Sequence, residues 1–375
     1  MKRYSLVIST GFAMFSMFFG SGNLVFPLLV GKDSGGHFLW AALGIVLTGV
    51  LVPFMGVGAM MLYNGDNRSF FGSLGKYAKF WLPFIILGLM GPFGVLARCV
   101  TVAHGSFKLL LPETPLVLFS ILSCVLIFAI TANKSKIVTV LGKWLTPFLL
   151  VSLFAIAGFG YMNSTAAFTD NGNWQSAFST GVFQGYQTMD LLAAFFFSTF
   201  VIRHLESHSD GTSMTRQFIR ASIIGGSLLS VVYLLLVFLG YAYGPALTGV
   251  APQEMLGVIA QQALGTYSAP VVCTAVVLAC FTTAVVLATL FAEFLENEVS
   301  QKKLSTHWAM VITLLIAFLV STLDFAGIAS FLGPILEAIY PALIVLTVIN
   351  VCSKVWRTKN RRWPVVLTLA AKLFA

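Results

Sequence analysis

Phe18-Phe19-Gly20-Ser21-Gly22-Asn23-Leu24-Val25-Phe26-Pro27 lies in the middle of an apolar run from Leu6 to Val30 that is long enough to cross a bilayer. A spanning helix satisfies its own backbone hydrogen bonds, because hydrocarbon offers no water in exchange. Two glycines, an asparagine and a proline within eight residues weaken that ladder at mid-depth. Such a break is tolerated only where the freed N–H and C=O groups face protein, an ion or a ligand. Alone, the stretch reads equally well as a small-residue packing seam with Pro27 as a kink. A second interruption half a chain later, Gly181-Val182-Phe183-Gln184-Gly185-Tyr186-Gln187-Thr188-Met189-Asp190, favours a binding site.

Composition fixes the setting. Hydrophobic residues make up 58% of the 375-residue chain, charged residues 9%, and mean hydropathy is +0.91. Soluble domains carry about 25% charged residues, so the chain reads as an all-α polytopic membrane protein with one transmembrane domain over residues 1–375. Cys99, Cys124, Cys273, Cys280 and Cys352 fall in or at the ends of apolar runs without metal-ligand spacing. They read as small core residues. Lys2 and Arg3 precede an apolar run too long for a signal peptide and without a small-residue cleavage site, which predicts an uncleaved first span.

Apolar runs fall at about 5–30, 38–63, 80–103, 115–132, 137–161, 178–202, 219–243, 267–292, 307–323 and 328–351, and a partial eleventh covers 363–375. With the N-terminus in the cytoplasm, seventeen of the 22 Lys and Arg residues fall in inside regions. Only Lys32 and Lys108 fall in outside loops, so the positive-inside rule fixes orientation and span count together. The net charge of +9 is thereby explained without nucleic acid. The basic tail after Val351 would lie against anionic lipid. Ten spans divide into repeats of about 5–161 and 178–351, and five per repeat makes the second inverted relative to the first. Each repeat opens with an interrupted span, the pattern that marks a midplane site in secondary transporters. The stretch 163–174 reads as a polar external loop and 252–264 as a short external helix.

Asp190 is costly at the bilayer centre unless paired, hydrated or protonated. It could cap the broken sixth span, contact a substrate amine, or carry a coupling proton. Glu337 is a second intramembrane acid, either paired with Arg98 or Lys143 or part of an ion pathway. Thr282 and Thr283 in span eight either bond their own helix or supply hydroxyl oxygens to a cation. The five histidines are scattered, with no HExxH and no phosphate-binding loop, so enzyme and ATP-driven readings find no support.

Residues 18–27 and Gly185-Tyr186-Gln187-Thr188-Met189-Asp190 resemble the two signature segments of the bacterial branched-chain amino acid:cation symporters (the LIVCS family) along essentially the whole chain. The resemblance implies the LeuT-like 5+5 inverted repeat with spans one and six unwound, and a bacterial cytoplasmic (inner) membrane location. It also implies leucine, isoleucine and valine as substrates and Na+ as coupling ion, with H+ an alternative, and no further cofactor or obligate protein partner. By similarity to the neurotransmitter:sodium symporters, the Ser21 and Gly22 amides would hold the substrate carboxylate. Gly185, Tyr186 and Asp190 would complete the substrate site, with Asn23 and Thr188 on one Na+. Ala279, Thr282 and Thr283, with the carbonyls of Ser16 and Phe19, would bind a second. Two departures stand out: Asp190 replaces a small polar residue, and one residue fewer separates Asn23 from Pro27, which removes those relatives' gating arginine. An amino-acid sensor or channel on the same fold is the alternative, though no soluble signalling domain or repeated filter is visible.

Overall fold

The computed structural model of the chain describes residues 2–132, 137–162, 173–208, 214–265, 268–355, 364–365 and 367–369. Among these there are helices and no strands. The first apolar run is two helices, α1 (Lys2–Phe18) and α2 (Ser21–Lys32), bent by 73° across Phe19-Gly20. The second is α3 (Phe38–Val46), a π-helical turn and α4 (Val52–Leu62); the short helix α5 (Asn67–Gly72) follows. Span three is α6 (Ala78–Met90) and α7 (Val95–Phe107), and α8 (Leu116–Ala132) and α9 (Ile137–Met162) complete the first half. The sixth run is α10 (Trp174–Gln187) and α11 (Asp190–His208), bent by 44° across Thr188-Met189. Then come α12 (Met214–Ala242), the short α13 (Met255–Leu264), α14 (Ser268–Phe294), α15 (Thr306–Ser321) and α16 (Asp324–Val355).

Five helical segments are long and apolar enough to cross a membrane, and the two bent pairs bring the number to seven. Shorter apolar helices, Leu116–Thr131, Leu150–Met162 and Thr306–Ser321, fall in the runs expected for spans four, five and nine. Both bends lie where the sequence interrupts its helices. At the first, Gly20 is extended (φ −116°, ψ −164°), which ends α1 and starts α2 afresh. At the second, Met189 adopts φ +62°, a left-handed conformation unfavourable for a side chain of this size. The expected short helix at 252–264 is a 3-10 turn leading into α13. It is tied to α7 by Lys108–Glu254 at 2.6 Å and to α16 by Gln253–Asp324 at 2.9 Å. The loop residues 163–172 and most of the partial span 363–375 lie outside the described residues.

Two glycine seams set how the broken spans pack. α2 lies along α12: a Cβ at Gly31 would sit 1.9 Å from the Val237 carbonyl oxygen, and one at Gly240 would sit 2.1 Å from that of Leu28. α10 lies along α3 in the same way, since a Cβ at Gly181 would fall 2.1 Å from the Ala41 oxygen and one at Gly44 would fall 2.3 Å from that of Phe178. Backbones this close exclude any side chain at the contact, the usual device for packing helices where lipid is as apolar as leucine. Span one thus packs on span seven as span six packs on span two. Exchanging the halves maps one contact onto the other, as the 5+5 inverted repeat of the LeuT-type fold requires.

Gly181→Val should therefore fail to fold, because neither neighbouring backbone can retreat from its methyls. Gly58→Val, at a position with nothing within 4 Å of the added Cβ, should stay within about 0.5–1 kcal/mol of the parent. Size-exclusion profiles and melting in detergent check this. Equal behaviour of the two variants contradicts the seam.

Candidate functional site

The start of α2 carries Asn23, which is 2% exposed. Its Oδ1 accepts from the Gly20 N–H at 3.0 Å, satisfying one donor freed by the break. The other end of the amide, Nδ2, donates to Asp190 Oδ2 at 2.7 Å and to the Tyr233 hydroxyl at 2.5 Å. Tyr233, on α12, in turn donates to the same Asp190 oxygen at 2.9 Å. One carboxylate oxygen at the start of α11 therefore collects a bond from α2, through Asn23, and one from α12, through Tyr233. The two breaks meet side by side around it. Their backbones are also close, because a Cβ at Gly22 would lie 3.4 Å from the Thr188 Cα.

At the second break, Thr188 donates its hydroxyl to the Gly185 carbonyl at 2.9 Å and lies beside Asp190 and Tyr233. The first N–H of α11 after Asp190, that of Leu191, donates to the Tyr340 hydroxyl at 3.2 Å. Among the described residues, Asp190 accepts from the side chains of Asn23 and Tyr233 and from no backbone N–H of α11. The Tyr186 ring rests on that of Tyr340 with centroids 4.8 Å apart. Gly185 is needed for close approach to the π-helical turn after α3, where a Cβ would meet Thr48 Oγ1 at 2.0 Å.

Ser21 is fully buried, and its hydroxyl accepts from the Cys99 thiol at 3.5 Å. Span eight reaches the first break through Thr283, whose methyl would lie 3.6 Å from a Cβ at Gly20. Thr282 donates its hydroxyl to the Ala279 carbonyl at 2.9 Å, within its own helix. Phe19 still donates its N–H to the Phe15 carbonyl at 2.9 Å, so the helix unwinds only beyond it. Ser16 lies one turn earlier on α1. Hydroxyls and carbonyls are the hard oxygen donors that alkali cations take, and the described residues contain no cluster of three or more His, Cys, Asp or Glu.

Tyr233 and Tyr340 belong to this arrangement, and sequence reading singled out neither; lone tyrosines inside apolar spans are their only local signal, since a buried hydroxyl needs a partner. Gln187, which the sequence shows only as part of the second interruption, accepts from Arg98 through its main-chain carbonyl and its side-chain Oε1. Arg98 does not pair with Glu337, which is exposed on α16; no carboxylate lies within 4.0 Å of Arg98 among the described residues. Depth along a span predicts neither partner nor rotation about the helix axis. The Lys143 side chain lies outside the described residues. At the end of the molecule bearing Arg68, Lys79 and Arg203, a cavity of about 430 Å³ opens between α6, α11 and the turn after α14, with Asp66, Thr199 and Glu298 also on its wall.

Comparison with known proteins agrees with this geometry. A family model described as branched-chain amino acid transport protein matches residues 3–375. Relatives from Staphylococcus aureus strains USA300 and MRSA252, provisionally named branched-chain amino acid carrier proteins, are 28% identical over 401 aligned residues. The match covers 97% of this chain and 86% of theirs. Among solved structures, the inward-facing conformation of Mhp1 superposes with a TM-score of 0.66 at 14% identity, covering 92% of this chain and 76% of that one. MhsT in complex with L-phenylalanine superposes with a TM-score of 0.59 at 14% identity, covering 97% of both. The fold is that of the LeuT-type transporters, and the chain belongs to the branched-chain amino acid transport protein family, whose members are membrane transporters and not enzymes.

Proposed function

We propose that the protein is a secondary active symporter that imports leucine, isoleucine and valine across a bacterial cytoplasmic membrane, with its N-terminus in the cytoplasm. The observation that carries this reading is the meeting of both broken spans at Asn23, Asp190 and Tyr233 in a chain of this family. Helix ends freed there present N–H groups from Ser21 and Gly22 to a carboxylate. Gly185 and Tyr186 border the same space. Na+ is the proposed driver, held by Asn23 and Thr188 at one position. At a second, Thr282, Thr283 and the carbonyls of Ala279, Ser16 and Phe19 would hold it. The donor set fits a cation of this kind, since it is neutral oxygen with one carboxylate nearby. The cavity between Arg68, Arg203 and Glu298 would serve as the inner mouth. Uptake of labelled leucine into proteoliposomes should rise steeply with an inward Na+ gradient; uptake indifferent to every cation gradient would favour a channel, and none at all a sensor.

Removing either threonine hydroxyl should weaken the cation more than the amino acid. Thr283→Ala should raise the Na+ concentration for half-maximal uptake roughly tenfold, the size expected for one lost polar ligand. Thr282→Ala should act in the same direction and less, because that hydroxyl is engaged with Ala279. Leucine KM at saturating Na+ should hold within about twofold for both. Unchanged Na+ activation in the two variants removes span eight from the ion site.

The carboxylate of Asp190 orients Asn23, which in turn holds the Gly20 N–H. Asp190→Asn should therefore raise the Na+ requirement while leucine binding persists, and Tyr233→Phe, which removes one donor, should cost about 1 kcal/mol, or roughly fivefold in uptake. A strong loss of leucine affinity in Asp190→Asn points instead to the substrate ammonium. Loss of pH-dependent uptake with leucine binding and Na+ activation intact makes Asp190 a proton carrier and H+ the driver.

A further inference from the structure

Arg98, on α7, is 1% exposed and among the largest fully buried side chains. Its Nη1 donates to the Gln187 main-chain carbonyl at 2.7 Å and its Nη2 to Gln187 Oε1 at 2.7 Å. The guanidinium lies over the rings of Phe26, at 5.0 Å, and Phe325, at 5.7 Å. Nε is buried with no acceptor. No carboxylate of the described residues approaches within 4.0 Å. A guanidinium keeps its charge under all ordinary conditions. Two neutral carbonyls and two ring faces return only part of what its removal from water costs, so the site is short of one anion.

Its position says which anion. The next residue, Cys99, touches Ser21 at the first break, and Gln187 is the last residue of α10 before the second. An unmatched positive charge thus stands beside the two breaks, and the substrate proposed above brings a carboxylate to the same junction. We propose that Arg98 is a substrate-binding residue that anchors the carboxylate of the transported amino acid, a role that rests on the amino-acid reading of the site given above. The Gln187 side-chain amide fills half of the fork. The arriving carboxylate takes the place of Gln187 Oε1, and the bond from Nη1 to the Gln187 main chain stays. Arginine suits this exchange, because its planar fork matches a carboxylate bidentately. Gln187 Nε2 lies 3.4 Å from the Ala329 carbonyl on α16, so displacing its amide also disturbs a contact between the sixth and tenth spans.

The test is competition of leucine and leucinamide against labelled leucine, with the purified full chain, because leucinamide keeps the ammonium and side chain but lacks the carboxylate. The wild type should favour leucine by roughly tenfold or more. Arg98→Gln should bring that ratio to within about twofold by weakening leucine alone, and Arg98→Lys should keep an intermediate ratio. Gln187→Ala, which empties the fork, should keep the full ratio with leucine bound as tightly or more so. A ratio in Arg98→Lys and Arg98→Gln equal to that of the wild type overturns the proposal. So does an equal loss of both ligands in Gln187→Ala, which would make the pair a structural clasp. Leucine binding that follows chloride, on exchange for gluconate, assigns the fork to that ion and also overturns it. A wild type that binds no leucine sinks the amino-acid reading itself, whereas leucine binding with a ratio indifferent to Arg98 sinks only the anchor.

Discussion

Every peptide group freed in the middle of a membrane must find a partner inside the protein, and the structure is arranged around meeting that demand twice. At the first break, the Gly20 N–H goes to the Asn23 side chain. At the second, the Leu191 N–H goes to Tyr340, the Gln187 carbonyl to Arg98, and the Gly185 carbonyl takes the Thr188 hydroxyl. Setting the breaks side by side lets one polar group serve both, as Asn23 does by reaching from its own cap to Asp190. A single interrupted span would need all its partners from intact helices. Two adjacent ones share them and gather a polar cluster in an otherwise apolar body.

The glycine seams explain how two bent helices are held firmly enough to keep that cluster in register. α2 and α12 meet backbone to backbone at Gly31 and Gly240, as α10 and α3 do at Gly181 and Gly44. Contacts this close admit little sliding, so spans one, two, six and seven form one body. The groups that touch the site from outside that body, Thr283 on α14, Cys99 and Arg98 on α7, and Tyr340 on α16, do so through side chains. Such contacts can be broken and remade, and alternating access needs a boundary of that kind between rigid parts.

Much of this architecture is legible in the sequence because membrane solvation leaves few choices. Apolar length sets the spans, Gly20 marks one break, although Gly22 and Pro27 fall inside α2 beyond it, and the Gly185–Asp190 stretch marks the other. The meeting of the breaks follows from the inverted repeat. The partners do not: Tyr233 lies 210 residues from Asn23, Tyr340 lies 149 from Leu191, and Gln187 lies 89 from Arg98. Those pairings depend on rotation of each helix about its axis, which hydropathy does not encode for spans apolar on every side. The pairing of Arg98 with Glu337, one of the alternatives open for that acid, failed for that reason. Asp190 was visible as an anomaly, while its neighbours were ordinary tyrosines.

If the two breaks together are the transport site, their backbone amides should be covered when substrate and ion bind. Hydrogen exchange of the purified protein, followed by mass spectrometry with and without leucine plus Na+, reads this directly. The account predicts that segments 19–24 and 185–191 slow together, and only when both ligands are present. Protection confined to other segments, or to one break alone, would contradict it.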